Sequence, residues 1–206
     1  MRHIGPRNRI ARRQGVDLGL KTVGTKAHAR LLRKLNVPPG QHGIRTRKKI
    51  SEHGFQLKEK QKLRFIFGVT ENQLKKYFNI AIKKPGNTAE YLTKFLEKRL
   101  DNVVFRLGFA PTRAAARQLV THRHIKVSDK LVNIPSYQTK MGEIITFSKE
   151  KSTKIPYIEK QLNNKDIILP KWLERQATVG KLVAEPTSED IAKQVNLRLV
   201  IEFYSR

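Results

Sequence analysis

The chain has 206 residues, of which 43 are Lys or Arg and 17 are Asp or Glu, so its formal net charge is +26. A compact protein with this charge repels itself, and its natural partner is a polyanion, either nucleic acid or an anionic membrane. The apolar runs are too short to cross a bilayer and the N-terminus lacks the pattern of a signal peptide, so no membrane partner is expected. The absence of cysteine excludes disulfides, thiolate metal sites and thiol nucleophiles, and predicts a cytoplasmic protein.

Residues 1–50 are predicted to form an irregular basic arm. Fourteen Lys and Arg residues lie in this segment and only Asp17 opposes them, while Gly and Pro interrupt it repeatedly, most clearly at residues 38–40. Such a segment buries little apolar surface, so we expect it to become ordered when its partner binds. A short helix within residues 27–35 is the regular element expected there.

Residues 51–94 are predicted to form a small helical domain with two short helices. The first ends at Gly68, and the second begins at Thr70, which has capping-box spacing to Gln73. The C-terminal segment 175–206 is expected to join this domain. Within it we predict a helix start at residues 188–190 and a closing strand over residues 197–203, where apolar residues alternate.

Residues 95–174 are predicted to form a second domain. Apolar residues at three- and four-residue steps indicate one long helix that starts at Thr88 and ends at Gly108, and another helix follows Pro111. The period then falls to two, which predicts short strands within residues 125–134 and 144–147, followed by a helix around residues 158–162. The predicted fold class is therefore α+β, with a basic N-terminal arm, a small helical domain, and a domain of two helices packed on a small antiparallel sheet.

Four arginines in the second domain are the strongest candidates for a binding site. Arg99 and Arg106 are predicted to lie two turns apart on one helix, and Arg113 and Arg117 to stack on one face of the next. Guanidinium forks on rigid elements can each bond two phosphate oxygens, and Thr112 adds a hydroxyl at a helix N-terminus. Such pairs are often only solvated faces, but the surrounding positive charge favours RNA contact.

Enzymatic and metal sites are not expected. The carboxylates are few and none lies in the apolar surroundings that acid–base chemistry needs, and arginines close to Glu97 and Asp101 make ion pairs the default there. His122 and His124 alternate without a third ligand, so no metal is expected. We therefore predict no enzyme, no cofactor and no small-molecule substrate. Tyr137, in a polar loop, is a candidate base or ribose contact.

These motifs together resemble a known family. Residues 99–127 resemble the helix-turn-helix core of the alpha-L RNA-binding domain, and residues 132–138 and 142–147 are similar to the rest of that domain. The segments IGPRNRIARRQG near the start, PPGQHG at 38–43, QLKEKQKLRFIFGV at 56–69 and IEFYSR at the end resemble, in this order, the S-four family of bacterial small-subunit ribosomal proteins. The resemblance covers nearly the whole chain.

The resemblance implies a structural constituent of the small ribosomal subunit. Such a protein binds the five-prime domain of small-subunit rRNA early in assembly, at a junction of several helices. It also lies near the channel by which messenger RNA (mRNA) enters, beside the third and fifth small-subunit proteins, and is linked to translational accuracy. It contains no membrane-bound part and takes no small-molecule substrate.

The resemblance also supplies the expected RNA-contacting residues. Carried over by position are, in an ordered turn, Pro39, Gly40, Gln41, His42 and Gly43, towards the mRNA Arg45, Arg47, Lys48 and Lys49, and on the alpha-L face Arg99, Asn102, Arg106, Thr112, Arg113, Arg117, Gln118, His122 and His124. Their basic character adds Arg2, Arg7, Arg9, Arg12 and Arg13 of the arm and Lys58 and Lys62 of the helical domain to the expected contacts, and the loop residue Tyr137 completes the set.

The chain departs from the family pattern at two places. Some members hold zinc through N-terminal cysteines, but Asn8 and Ala11 stand where the first two would be, so zinc is not expected. Many members have Asn-Gly in the hairpin where this chain has Ser128 and Asp129, so that turn is expected to be longer or strained.

Two alternative functions remain open at this point. An RNA-modifying enzyme with an alpha-L domain, such as a pseudouridine synthase, would need a further catalytic domain, and the remaining residues are already assigned to the arm and short helices. A free-standing RNA-binding translational regulator could use the same basic face on an mRNA. Competition between that mRNA and rRNA would distinguish the two roles.

Overall fold

A computed structural model of the protein describes residues 5–43, 49–164, 167–187, 191 and 194–205. The chain divides into two compact units, the first formed by residues 1–89 and 191–206 and the second by residues 90–190. In the described part the helices are α1 (Arg7–Gln14), α2 (Lys26–Arg33), α3 (Glu52–Phe67), α4 (Glu71–Ile82), α5 (Thr88–Glu97), α6 (Leu100–Arg106), α7 (Arg113–Thr121), α8 (Glu150–Thr153), α9 (Pro156–Leu162) and α10 (Leu197–Tyr204). The strands are β1 (Ile125–Val127), β2 (Lys130–Leu131), β3 (Ile144–Phe147), β4 (Leu173–Gln176) and β5 (Val179–Leu182). The predicted α+β class is confirmed.

The N-terminal segment contains two packed helices joined by irregular chain. The short helix predicted within residues 27–35 corresponds to α2, whereas α1 was not predicted. Ala11 of α1 and Leu31 of α2 are fully buried, and the side chains of Asp17 and His28 are 2.7 Å apart in a hydrogen bond. Asn8 of α1 donates from Nδ2 to the backbone carbonyl of Ala27 in α2 at 3.0 Å. These contacts pack the two helices within the first unit.

The rest of the first unit is built on α3, α4 and α10. The capping box predicted at the start of α4 is confirmed, because Thr70 accepts from the backbone of Gln73 and Gln73 accepts from the backbone of Thr70. The prediction of a closing strand over residues 197–203 was wrong, since these residues form α10. The Asn196 side chain caps that helix, and Leu197 and Val200, one helical turn apart, are its buried residues. The expected helix start at 188–190 lies outside the described residues.

The second unit contains a five-stranded antiparallel sheet in the order β2-β1-β3-β5-β4. The β1–β2 turn has two residues, Ser128 and Asp129, at φ values of 45° and 67°. It is therefore no longer than usual, but both residues occupy the left-handed region that glycine and asparagine prefer. Strands β4 and β5 were not predicted, and they place residues 173–182 in this unit rather than with the C-terminal segment. Gly180 allows β5 to approach α6, because a Cβ atom there would overlap the side chain of Leu107.

One apolar core supports the helices and the sheet of the second unit. Phe109 and Trp172 are buried in it, and the rings of Phe109 and Phe147 lie 4.8 Å apart between centroids. Buried Ile125 and Ile145 of the sheet face buried residues of α6 and α7 in the same cluster. This core fixes the two helices that carry the arginines. Across the described ranges, no helix is long and apolar enough to span a membrane.

An ion-pair bridge between α5 and the segment after β5 predicts a specific acid sensitivity. Glu185 pairs with Lys94 at 2.8 Å and with Lys98 at 2.7 Å, and these two hydrogen bonds lower the pKa of Glu185 from 4.5 to about 2. A pKa that is lower in the folded state gives stability that is complete above pH 4.5 and is lost as the pH falls towards 2. Glu185→Gln is expected to flatten the dependence of unfolding free energy on pH in this window.

The measurement is urea unfolding followed by Trp172 fluorescence between pH 7 and pH 2. At pH 7 the difference between wild type and variant is expected to be small, because the Glu185 side chain is 43% exposed. Glu174→Gln, which changes an exposed carboxylate of β4, serves as the matched control and should retain the wild-type profile. Parallel profiles for Glu185→Gln and wild type would contradict the assignment.

Candidate nucleic-acid interface

The long helix predicted over residues 88–108 is interrupted. α5 ends at Glu97 and α6 begins at Leu100, and the Arg99 backbone between them is extended, with φ −65° and ψ 134°. Arg99 and Arg106 were predicted to lie on one helix, and this prediction was wrong because the interruption separates them. The interruption instead turns the end of α5 and the whole of α6 so that their polar side chains meet those of α7.

The loop of residues 135–139 stabilises this interruption. Leu100 N donates to Tyr137 O at 2.9 Å, and Lys98 O accepts from Thr139 N at 2.8 Å and from Thr139 Oγ1 at 2.9 Å. Unpaired backbone groups in a buried place are costly, so these partners allow the helix to break there. The partners come from 41 residues further along the chain, which is why local apolar periodicity did not reveal the break.

Asp101, at the start of α6, is buried and holds two of the four arginines. Arg99 donates to its carboxylate from Nη2 at 2.7 Å and from Nε at 3.1 Å, and Arg117 donates from Nη1 at 3.2 Å. Arg99 is 0% exposed, so it has no surface to offer a ligand, and it does not belong in the contact set predicted from sequence. The Arg117 side chain is 26% exposed and reaches the surface.

Glu97, the last residue of α5, is fully buried and organises the other two arginines. Arg106 donates to both carboxylate oxygens, from Nη2 at 2.6 Å and from Nε at 3.1 Å. Asn102 Nδ2 also donates to Glu97 at 2.5 Å, and Asn102 Oδ1 accepts from Arg113 Nε at 2.8 Å. The Arg113 guanidinium lies 4.5 Å from the centroid of the Phe105 ring, a cation–π contact. Asn102 thus transmits the position of Glu97 to Arg113.

We call these seven residues the arginine–carboxylate cluster: Glu97, Arg99, Asp101, Asn102, Arg106, Arg113 and Arg117. Four guanidiniums and two carboxylates leave it a net charge of +2. Burial lowers the pKa of Arg113 to about 10, with Glu97 opposing that change and Arg106 adding to it, so Arg113 stays protonated at neutral pH. The cluster therefore presents fixed positive charge, and it does so through the partly exposed Arg106, Arg113 and Arg117.

The other residues predicted for this face divide by exposure. Gln118 and His122 of α7 are exposed. Thr112 is 5% exposed, and its hydroxyl accepts from Ala115 N at 3.2 Å, so it caps α7 rather than offering a free hydroxyl to phosphate. His124 is half-buried and its Nδ1 lies 2.9 Å from Ser152 Oγ.

Tyr137 is half-buried and engaged within the protein. Its hydroxyl donates to Glu143 Oε1 at 2.7 Å, and this hydrogen bond, together with burial, raises its pKa. The backbone carbonyl of the same residue stabilises the start of α6. Tyr137 therefore supports the cluster through its main chain, and its ring remains only a predicted RNA contact.

In the first unit, α1 places several of the predicted residues at the surface. Arg7, Arg9 and Arg13 are exposed. Arg12 is directed towards the chain instead, since its Nε donates to Val37 O at 2.9 Å and its Nη2 donates to Pro38 O at 3.1 Å. Three arginines of α1 are therefore exposed, while Arg12 binds the backbone at Val37 and Pro38, which precede the exposed turn residues.

The turn of residues 38–43 is held in an ordered conformation. Gly43 lies so close to the chain that a Cβ atom would overlap the carbonyl oxygen of Pro38. Gly40, Gln41 and His42 are exposed on the turn, and Pro39 is half-buried. The turn is therefore presented outward while its base is fixed.

The remaining predictions in this unit are mixed. Lys49 is exposed and Lys58 is half-buried, whereas Lys62 is only 9% exposed and donates to Glu59 at 2.5 Å. Lys62 therefore contributes an internal ion pair rather than a surface charge. Arg2, Arg45, Arg47 and Lys48 lie outside the described residues.

An exposed basic face on α4 was missed. Leu74, Phe78 and Ala81 of this helix are buried, and the opposite face carries the exposed residues Asn72, Lys75, Lys76, Asn79 and Lys83 around a shallow depression. No ion pair involving these three lysines occurs within the described part of the chain. Their helical spacing was a signal that could have identified them. Among the described residues, no group of three or more His, Cys, Asp or Glu could hold a metal ion.

Comparison with known proteins places the chain in a family. Residues 2–97 match the ribosomal protein S4/S9 N-terminal domain, and residues 98–145 match the S4 domain. Small ribosomal subunit proteins uS4 from Caldicellulosiruptor saccharolyticus, Aquifex aeolicus and Akkermansia muciniphila are 45%, 46% and 46% identical to it, and each alignment covers 100% of this chain and 99% of the relative. The chain belongs to the uS4 family.

Membership of the uS4 family confirms the resemblance seen in the sequence. Proteins of this family are structural, non-enzymatic components of the small ribosomal subunit, so the prediction that the chain is not an enzyme is confirmed. The boundary between the two family matches falls after Glu97, within the arginine–carboxylate cluster. Strands β4 and β5 lie beyond the S4 domain match, although they complete its sheet.

The buried position of Arg99 predicts a structural rather than a binding role. Arg99→Met removes the main counter-charge of buried Asp101, and we expect it to lower the free energy of unfolding by about 3 kcal/mol. Arg9→Met, at an exposed position of α1, removes the same charge and should change stability by less than about 0.5 kcal/mol. Urea unfolding followed by circular dichroism compares the two, and equal small effects would be inconsistent with the buried pair.

Proposed function

We propose that this chain binds small-subunit rRNA as a structural constituent of the ribosome. The observation that carries the proposal is the arginine–carboxylate cluster, in which Arg106, Arg113 and Arg117 are held in fixed positions on two packed helices with part of each side chain exposed. A guanidinium held in this way can bond two phosphate oxygens without first losing much side-chain freedom. The net charge of +26 supports the same partner.

Most of the affinity is expected to come from neutralising phosphates. Each phosphate contact releases condensed counterions, so affinity depends steeply on salt and little on sequence. Selectivity comes from shape, because the deep groove of A-form RNA hides the base edges. Rigid basic faces accept only RNA helices that meet at a suitable angle, which is the property of a multi-helix junction.

The proposed contact set is the predicted set after correction for burial. Its members among the described residues are exposed or partly exposed: Arg7, Arg9, Arg12, Arg13, Pro39, Gly40, Gln41, His42, Gly43, Lys49, Lys58, Arg106, Arg113, Arg117, Gln118, His122, His124 and Tyr137, to which the exposed face of α4 adds Lys75, Lys76 and Lys83. Arg99, Asn102, Thr112 and Lys62 support this set from within the fold.

The finer role follows from the family resemblance. We infer that the RNA is the five-prime domain of small-subunit rRNA, that binding occurs early in assembly, and that the third and fifth small-subunit proteins are neighbours in the cytoplasmic ribosome. We assign the position near the mRNA entry channel to the segment that ends at Lys49, and we infer that this segment affects translational accuracy. Exposure of Lys49 is compatible with that assignment.

Filter retention across a salt series tests the proposal directly. The protein is titrated against five-prime domain rRNA and against an unrelated structured RNA of equal length. We expect binding to the five-prime domain to survive salt that removes the control RNA. Equal affinity and equal salt slopes for both RNAs would contradict specific rRNA recognition, and competition with mRNA would then examine the regulator role.

Substitutions in the cluster assign the contact face. Arg113→Ala and Arg117→Ala are each expected to weaken binding to the five-prime domain by about 1–3 kcal/mol, because each removes a positioned guanidinium. Lys171→Ala removes one charge from an exposed loop of the same unit and provides the matched control. Identical small losses in all three variants would show that only total charge matters.

Substitutions on α4 address the face that the sequence did not reveal. Lys76 and Lys83 lie about two helical turns apart along one exposed stripe. Lys76→Ala and Lys83→Ala are each expected to reduce the salt slope by about 1. Because phosphate contacts carry no sequence information, affinity for both RNAs should fall by a similar factor. An unchanged salt slope would remove this face from the proposed interface.

A further inference from the structure

We propose that Glu97 is a positioning residue for RNA recognition, so that removing this negative charge weakens RNA binding instead of strengthening it. The inference rests on the proposed rRNA-binding function. It concerns a residue that contacts no RNA itself, since Glu97 is 0% exposed. Its effect is exerted through Arg106 and Arg113.

The two carboxylate oxygens of Glu97 have separate tasks. Oε1 accepts from Arg106 Nη2 at 2.6 Å, while Oε2 accepts from Arg106 Nε at 3.1 Å and from Asn102 Nδ2 at 2.5 Å. The first two bonds fix the plane of the Arg106 guanidinium. The third, together with a bond from Asn102 Nδ2 to the Glu97 backbone carbonyl at 3.0 Å, fixes the orientation of the Asn102 amide, whose oxygen accepts from Arg113 Nε at 2.8 Å.

This arrangement determines which parts of the guanidiniums face outward. Arg106 uses Nε and one Nη in the pair with Glu97, and its side chain is 22% exposed. Arg113 uses Nε on Asn102 and packs its plane against Phe105. An arginine has several rotatable bonds, so a flexible side chain would lose freedom on binding, whereas these two lose it during folding.

An argument from net charge alone predicts that removing Glu97 strengthens RNA binding. A carboxylate beside phosphate-binding arginines reduces the attraction for phosphate, and burying it costs solvation free energy. A protein of charge +26 that only needed positive potential would bind RNA more tightly without it. A positioning role explains why the carboxylate lies inside the cluster. The direction in which RNA affinity changes when the Glu97 charge is removed distinguishes a positioning role from an effect of net charge alone.

Glu97→Gln is the informative substitution because it preserves size. One carboxylate oxygen becomes an NH2 group, which is a donor placed against the donors of Arg106 or Asn102. The two-bond pairing to Arg106 is lost, or the Asn102 amide turns and Arg113 loses its acceptor. Both guanidiniums remain, but at least one of them loses a hydrogen bond that fixes its direction.

The experiment measures the affinity of the full chain for five-prime domain rRNA and for an unrelated structured RNA. Glu97→Gln is expected to weaken binding to the five-prime domain by about tenfold, the equivalent of one charge-assisted hydrogen bond, and to leave the unrelated RNA bound equally or more tightly. Glu174→Gln, which removes the same charge from an exposed position of β4, should not weaken either complex. Nuclear magnetic resonance of the arginine Nε–H groups should show the Arg106 and Arg113 signals losing dispersion in Glu97→Gln only.

Glu97→Asp covers the case in which Glu97→Gln does not fold. It keeps the charge but shortens the side chain by one methylene, so the same loss of specific affinity is expected at unchanged net charge. Wild-type affinity for the five-prime domain in whichever variant folds would overturn the inference. If the wild type itself fails to distinguish the two RNAs, the proposed function fails first and the inference falls with it.

Discussion

The hydrogen bonds between residues 135–139 and the break at Lys98 and Arg99 determine the geometry of the second unit. Without them α5 and α6 would form one straight helix, in which Glu97 and Asp101 would share one face while Arg99 and Arg106 lay on the opposite face. With them, a short extended step places two carboxylates between two helices. The backbone of a distant loop thus decides the position of every charged side chain in the arginine–carboxylate cluster.

The cluster shows how a highly basic protein can use its few acids. The chain has 17 carboxylates and 43 Lys and Arg residues. Several of the carboxylates form ion pairs that fix cations in the fold: Glu59 pairs with Lys62, Glu185 pairs with Lys94 and Lys98, and Glu97 and Asp101 pair with arginines of the cluster. The lysines on the outer face of α4, which have no ion pair within the described part of the chain, are exposed. Total charge brings RNA near, and the internal acids decide which cations keep a fixed direction.

Sequence patterns were reliable where the deciding contacts are local. The capping box of Thr70 and Gln73 lies within four residues, and the start of α4 was predicted correctly. The strand predicted over 197–203 failed because alternate apolar residues also fit a helix when only Leu197 and Val200 are buried against a partner. The prediction that Arg99 contacts RNA failed because the burial of Arg99 depends on a loop some 40 residues away, which local patterns do not reveal. The arginines of the site could be named from sequence, but which ones reach the surface could not.

The attachment of Arg12 to the carbonyl oxygens of Val37 and Pro38 has a thermodynamic consequence. It joins α1 to the base of the turn at 38–43, so this part of the N-terminal segment already has its folded hydration before any RNA arrives. Association then exposes or buries little additional apolar surface there, and the heat-capacity change of binding stays small compared with that of a segment that folds on its partner. The enthalpy of complex formation should accordingly vary only weakly with temperature.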